Sequence, residues 1–379
     1  MGKKVSIILL HYNQPKYVKI ALDSVFGQSY TNIELIFADD CSKDININDL
    51  KKYCSIKNKK NIKIIWQINE KNIGTVKNVN NAIKKSSGDY ILIFAADDKL
   101  YDEKVISKLV DSFDMQEKNT AIVSGQCFMM DRELNKINSK FVDDLKGKEF
   151  NKKEPIEQYK SLTQDCFLAI GACLIDAKIL KKEGLFSEEY KFIEDWYIFF
   201  KFTKSNYKLI FDGSINALLH RDGGISHTEE ILSLDSPVVG FREDLINLFI
   251  NEVLPNFNIL NYSEKCNVYE FLINNITNYE MLGLRVDNFN KNTFMMKNIA
   301  FFMHRKVSYI NTNYSILKNT FCNNLSIIDT LLIIVLLIGQ KRIKMVLYLL
   351  VLLLLINILI ILFFYVVRLL YKARIIIDR

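Results

Sequence analysis

Proline and glycine are scarce in this chain of 379 residues, at 4 and 14, and tryptophan (2) and histidine (4) are scarcer still. So little proline and glycine excludes a collagen-like chain or a proline-rich linker. Neither charge sign dominates: 50 Lys and Arg stand against 43 Asp and Glu, a formal +7 spread along the sequence. A nucleic-acid binder gathers its basic residues on one face, and no such block precedes the C-terminus, so no nucleic-acid partner is expected. The cysteines are odd in number, 7, and form no CxxC pair. With no secretory leader at the start, they read as reduced core thiols of a cytosolic compartment, without a disulfide framework or a structural zinc site. No glycine-rich loop follows the first apolar run, where Leu9-Leu10-His11-Tyr12-Asn13 stands. That argues against a nucleotidyltransferase or an NAD enzyme.

The composition is that of a folded protein, 49% hydrophobic and 25% charged. Its length corresponds to about two and a half domains of ~150 residues. Residues 5–10 read as a buried strand, and Pro15 suits the first turn of a helix with Val18, Ala21, Leu22, Val25 and Phe26 on one face, stopped at Gly27. Strands at 33–38, 62–67 and 90–95 follow, with a polar helix at 76–85 before the last of them. Asp102 is placed to cap a helix bearing Val105, Ile106, Leu109, Val110 and Phe113. A strand is expected at 121–130, then polar, irregular chain to about Gln164, and a helix at 179–185. Two short strands close the region at 209–212 and 217–220. From Ser236 onward the pattern is helical, with Pro237 in a first turn and a further helix at about 264–282. This alternation predicts a doubly wound α/β sheet, whose ligands bind outside the carboxyl ends of the strands.

Two of the predicted strands deliver acid pairs to that edge, Asp39-Asp40 and Asp97-Asp98. A third pair, Glu194-Asp195, precedes a strongly aromatic helix. Acid pairs also make turns and helix caps, so any one alone carries little.

Residues 345–367 carry no charge, and Asn357 is their one strongly polar residue. As a helix they would be about 35 Å long, enough to cross a ~30 Å hydrocarbon core. A shorter apolar run at 325–339 is a marginal second span or an interfacial segment. Basic residues flank the long run on both sides, so orientation stays open. The expected organisation is a catalytic domain at 1–232, a helical extension at 233–324 and a membrane-associated tail at 325–379. The catalytic domain is expected to be cytoplasmic and the tail to contact membrane lipids.

The order of these pieces resembles the family 2 glycosyltransferases, the inverting nucleotide-sugar enzymes of the GT-A fold. The resemblance rests on VSIILLHYNQPKYVKIALDSVFGQSYTNIELIFADDCSKD, NIGTVKNVNNAI, SSGDYILIFAADD, EGLFSEEYKFIEDW and LLHRDGGIS, from Val5 to about Ser226. It implies a GT-A fold and a nucleotide-diphosphate sugar donor, most simply a UDP-sugar, passed to a glycan or lipid-linked acceptor. By the same resemblance Asp40 would bind the base with Asp39 shaping its pocket, and Leu10, His11 and Tyr12 would line the nucleotide site. Lys77 would lie near the nucleotide or diphosphate. Asp98 would hold Mg²⁺ or Mn²⁺, with Asp97 on the ribose or as a second metal contact. Ala95 stands where many members carry a further Asp. Asp195 would be the base, Glu194 its support, and His220, Arg221 and Ser226 part of a loop over the diphosphate.

Those residue types suit the chemistry. A departing nucleoside diphosphate gathers negative charge, which a hard cation held by carboxylates neutralises. An acceptor hydroxyl must lose its proton, and a carboxylate among Phe192, Trp196 and Tyr197 would have its pKa raised towards working pH. Two readings remain: an enzyme, or a non-catalytic nucleotide-sugar-binding subunit of a membrane assembly that kept the fold. A homo-oligomer is compatible with either.

Overall fold

The computed structural model describes residues 2–131, 136–221 and 237–281, all within one compact unit. The first half alternates strand and helix: β1 (Val5–His11), α1 (Val18–Phe26), β2 (Ile33–Asp39), α2 (Ile47–Lys57), β3 (Lys63–Ile68), α3 (Thr75–Lys85), β4 (Tyr90–Ala95), β5 (Lys99–Leu100) and α4 (Val105–Asp114). The second half holds β6 (Thr120–Met130), β7 (Lys136–Lys140), α5 (Asp144–Asn151), α6 (Pro155–Leu162), β8 (Cys173–Asp176), α7 (Ala177–Glu183), α8 (Asp195–Lys204) and β9 (Lys208–Arg221). Helices α9 (Pro237–Leu248) and α10 (Tyr262–Met281) follow, joined by a π turn at Phe249–Val253 and a 3₁₀ turn at Leu254–Ile259.

The nine strands form one sheet in the order β3-β2-β1-β4-β8-β6-β9-β5, with β7 on β6. The β3-β2-β1-β4 half is parallel, as the continuous apolar runs predict: every side chain of β2 is buried, because helices cover both faces. The other half departs from a doubly wound sheet. Strand β8 runs antiparallel between β4 and β6, and β5 runs antiparallel to β9, so the whole is mixed. The fold is α/β, with the main core formed by β1, β2, β4, α1 and α4.

Several boundaries differ from expectation for local reasons. Pro15 sits in a turn ahead of α1, where the Tyr17 and Val18 N–H groups donate to Gln14. Asp102 accepts from the Lys104 N–H and pairs with Lys108, but Lys104 takes the cap position. The stretch read as irregular up to Gln164 contains β7, α5 and α6; α5 is capped by Asp143 and α6 begins on Pro155. The two short closing strands are one 14-residue strand, β9, whose Asp212 accepts from Ser214 at an irregularity against β6. Helix α7 ends at Gly184, in the left-handed region at φ 95°, two residues earlier than expected.

The amino edge of the sheet holds a buried acid. Glu34 accepts from Lys4 Nζ at 2.7 Å, Ser6 Oγ at 2.6 Å and the Ser87 N–H at 2.6 Å. Burial alone would raise this carboxyl, but the Lys4, Ser6 and Ser87 hydrogen bonds outweigh it and hold it at about 2.

Six cysteines are free thiols among the described residues, four of them buried and Cys41 and Cys166 partly so. No described helix is long and apolar enough to cross a membrane. The runs at 325–339 and 345–367 lie outside the described residues, as does Ser226.

Candidate active site

Strand order reverses at β1, which has β2 on one side and β4 on the other, so the crevice at their carboxyl ends is the place for a ligand. His11 ends β1 and Asp39 ends β2, in register. His11 Nδ1 lies 2.7 Å from Asp39 Oδ1, and Ser42 Oγ donates to the same oxygen at 2.5 Å. The Ser42 N–H adds a bond to Oδ2 at 3.0 Å. Burial would raise Asp39, but His11 and Ser42 together hold it below the usual carboxylate range. Asn13 ties the two loops further, its N–H donating to Ser42 Oγ and its side-chain oxygen accepting from the Lys43 N–H. His11 is buried, yet its Nε2 has no hydrogen-bond partner among the described residues. A buried nitrogen without a partner among the described residues is open to a ligand at this edge. Tyr12 next to it is 48% exposed, and Leu10 is partly buried.

Asp40 has work within the chain. Its Oδ1 accepts from Asn69 Nδ2 and the Ile73 N–H, and its Oδ2 from the Gly74 N–H, each at 2.9 Å. It thereby pins the loop that opens α3, where Gly74 adopts φ 87°. Asp40 commits three acceptor positions to that loop. Lys77, in the first turn of α3, is exposed at the same edge and has no ion-pair partner within the described residues.

The second acid pair is drawn together with the end of β9. Asp98, 6% exposed, takes His220 Nδ1 at 2.9 Å and the Arg221 N–H at 3.1 Å on Oδ1. Asp97 Oδ2 accepts from Arg221 Nη2 at 2.6 Å and Nε at 3.2 Å. The Arg221 guanidinium also stacks 4.9 Å over the Tyr17 ring. Burial raises the Asp98 carboxyl despite the His220 partner. Burial also works to lower His220, but the nearby Asp98 charge prevails and raises it.

Glu194 and Asp195 stand at the start of α8, both partly buried. Asp195 Oδ1 accepts its neighbour's backbone N–H, from Trp196, at 2.6 Å. Burial raises both carboxyls, and Asp195 repels charge on Glu194 further. The aromatic company is structural: Trp196 Nε1 donates to the Leu162 carbonyl at 2.8 Å, and its ring meets Phe249 edge-on at 5.1 Å.

Buried thiols connect the acids. Burial chiefly raises Cys127, and charge on Asp98 and on Cys173 adds to it. Cys173 is pushed up to about 12 by burial, with a smaller push from Asp195. Asp98 acts on a thiol of β6 and Asp195 on one of the neighbouring β8. Asp40 lies two strand spacings from the end of β4, about 10 Å across the sheet. Of the expected site residues, Leu10, His11, Tyr12, Asp39, Asp40, Lys77, Asp97, Asp98, His220 and Arg221 come to the carboxyl edge, and Glu194 and Asp195 flank it from α8.

The sequence did not single out Ser42, Tyr17 or Asn69. Ser42, two positions beyond the Asp39-Asp40 pair, could have been recognised as a turn hydroxyl. The Arg221–Tyr17 contact has no sequence signal, because strand pairing creates it. Among the described residues no three His, Cys, Asp or Glu side chains form a metal cluster. Asp97 and Asp98 are adjacent carboxylates, engaged here by Arg221 and His220; carboxylate oxygens are the donors that a Mg²⁺- or Mn²⁺-type ion takes.

Residues 6–184 match the family model described as Glycosyl transferase family 2. An uncharacterized glycosyltransferase of Rickettsia typhi is 30% identical over 200 residues, 53% of this chain and 58% of that one. The match to a Rickettsia prowazekii relative, 28% identical, also spans 58% of that protein. The crystal structure of Staphylococcus aureus TarS 1–349 in complex with UDP-GlcNAc has a TM-score of 0.49 and 18% identity, covering 73% of each chain. Residues 6–184, somewhat under half of the chain, are thus similar to glycosyl transferase family 2.

Proposed function

We propose that the protein transfers a sugar from a nucleotide-diphosphate donor, a UDP-sugar first among them, to a hydroxyl of a glycan or lipid-linked acceptor, with inversion. The observation that carries this reading is the placement of Asp98 after β4 and of Asp195 at the start of α8, both raised by burial, in a chain whose residues 6–184 match the glycosyl transferase family 2 model. The nucleoside would lie along the ends of β1 and β2, with His11 Nε2 and the exposed Tyr12 ring as its contacts. Asp40 would hold the floor of that pocket through the 69–74 loop and its remaining lone pair. The diphosphate would reach Lys77 on one side and the Arg221–Asp97 pair on the other.

Asp98, with Asp97 as a second contact, would hold a divalent cation, which when bound offsets the charge gathering on the leaving diphosphate. Asp195 takes the acceptor proton. The acceptor oxygen forms its bond to the anomeric carbon, the carbon–phosphate-oxygen bond breaks, and that electron pair leaves with the diphosphate. A carboxylate raised towards neutrality suits this task, because proton transfer is most efficient when the base pKa lies near working pH. Glu194, more protonated for the same reason, would donate a hydrogen bond to the acceptor. The uncharged run at 345–367 motivates a membrane-attached tail that brings the site to a lipid-linked acceptor.

A panel of UDP- and GDP-sugars tests this with the full chain and its Asp195→Asn variant. The reading expects one donor to be consumed by the wild type and bound but not consumed by Asp195→Asn. Binding without turnover in both would assign the chain to a non-catalytic subunit.

A further inference from the structure

Helix α9 lies beyond the 6–184 family match, yet it reaches the loop that leads into the acid pair. Asp244, buried on α9, accepts the Lys191 N–H at 2.6 Å and the Phe192 N–H at 2.7 Å on the single oxygen Oδ2. Gly240 stands one turn earlier on the same face of α9. A Cβ there would lie 2.5 Å from Phe192 Cε2, so the helix backbone presses directly on that ring. From the π turn, Asn251 Nδ2 donates to Tyr190 OH at 3.5 Å and Phe249 packs on Trp196 at 5.1 Å. Every one of these contacts falls on residues 190–196, the segment that carries Glu194 and Asp195. Helix α6 holds the same segment from another direction, through the Leu162 carbonyl on Trp196 Nε1.

Two backbone amides converging on one buried carboxylate oxygen make a strong anchor, because such charge-assisted bonds are shorter and about twice as strong as neutral ones. Losing that oxygen leaves both amides to find new partners, and the loop must shift to let them. A shift of about 1 Å at a reacting group lowers turnover by about 10²-fold.

We infer that Asp244 is a positioning residue for sugar transfer: it fixes the 190–193 turn so that Asp195 meets the acceptor hydroxyl, which makes α9 part of the active centre. This rests on the reading of Asp195 as the base. A purely structural Asp244 would merely dock α9, and its loss would lower stability and donor binding together.

The test is steady-state hydrolysis and transfer by the full chain with UDP-glucose, UDP-N-acetylglucosamine and GDP-mannose, alongside amide hydrogen exchange. For Asp244→Ala we expect kcat to fall about 10- to 100-fold, with donor KM and Kd unchanged. Exchange at residues 190–196 should quicken while that of β1 to β4 stays as in the wild type. Asp244→Asn keeps an acceptor oxygen and should retain most of kcat. Glu243→Gln, an exposed neighbour, should match the wild type. Should Asp244→Ala fail to fold, Gly240→Ala pushes Phe192 from the same helix and should lower kcat at constant donor KM. An unchanged kcat in a folded Asp244→Ala, or a kcat loss matched by donor KM and by faster exchange throughout, overturns the inference. If Asp195→Asn abolishes turnover while Asp244→Ala does not, only the positioning role fails. A wild type that consumes no donor removes the functional reading and this role with it.

Discussion

The two edges of the parallel half-sheet treat buried acids in opposite ways. At the amino edge Glu34 is surrounded by Lys4, Ser6 and Ser87, and its carboxyl is held at about 2. At the carboxyl edge Asp98, and at the start of α8 Glu194 and Asp195, are raised by burial that their partners do not offset. A fully satisfied acid stabilises the fold and has no capacity left for a substrate. An acid left short of partners weakens the fold and is available for proton transfer or a cation.

The difference can be broken most visibly at Asp195. Asp195→Asn should lower transfer by about 10²–10⁴-fold, read in a turnover assay, while leaving nucleotide-sugar binding in place. Glu34→Gln should do the reverse. Removing the charge costs about 2–3 kcal/mol of stability, seen as a lower denaturant midpoint, with donor Kd and kcat unaltered in the folded fraction.

The pH dependence should carry opposite signs at the two edges. Glu34 has a folded value below its unfolded one, so its contribution is present above about 4.5 and lost as pH falls towards about 2. Glu194 has a folded value above its unfolded one, so its contribution is present at low pH and lost as pH rises through the folded value. Thermal melts should therefore show Glu194→Gln gaining stability over the wild type above neutrality, by about 1 kcal/mol, with the gain fading towards pH 4. Equal melts at every pH would mean that Glu194 is not an unsatisfied acid.

The smallest effect is expected at Lys77. This exposed side chain would meet the diphosphate through solvent, so Lys77→Ala should raise donor KM several-fold, about 1 kcal/mol, with kcat nearly constant and the difference shrinking in high salt.

How far the sequence reveals this arrangement follows from burial. Strands β1, β2 and β4 are covered on both faces, so their apolar runs are unbroken and their ends were read within a residue or two. Helix α2 passed unnoticed because only Leu50 and Cys54 are buried on it. Helix α5 was hidden in the same way, burying only Gly147 and Phe150 in a lysine-rich stretch. Strand β9 looked like two strands because Asp212-Gly213-Ser214 carries turn chemistry, yet pairing with β6 keeps it continuous. The acids themselves were visible as pairs after strands or before a helix. Their partners were not, since His220 and Arg221 reach Asp98 and Asp97 only once β9 lies beside β6. Asp244 gave no signal at all, being one acid among the charged residues of an amphipathic helix.

The most direct measurement is a crystal structure of the Asp195→Asn protein with the UDP-sugar it binds and Mn²⁺. The account predicts the nucleoside against His11 and Tyr12, the cation between Asp98 and the diphosphate, and the anomeric carbon open towards residue 195. A donor bound elsewhere, or bound at this edge with its sugar turned away from α8, would contradict it.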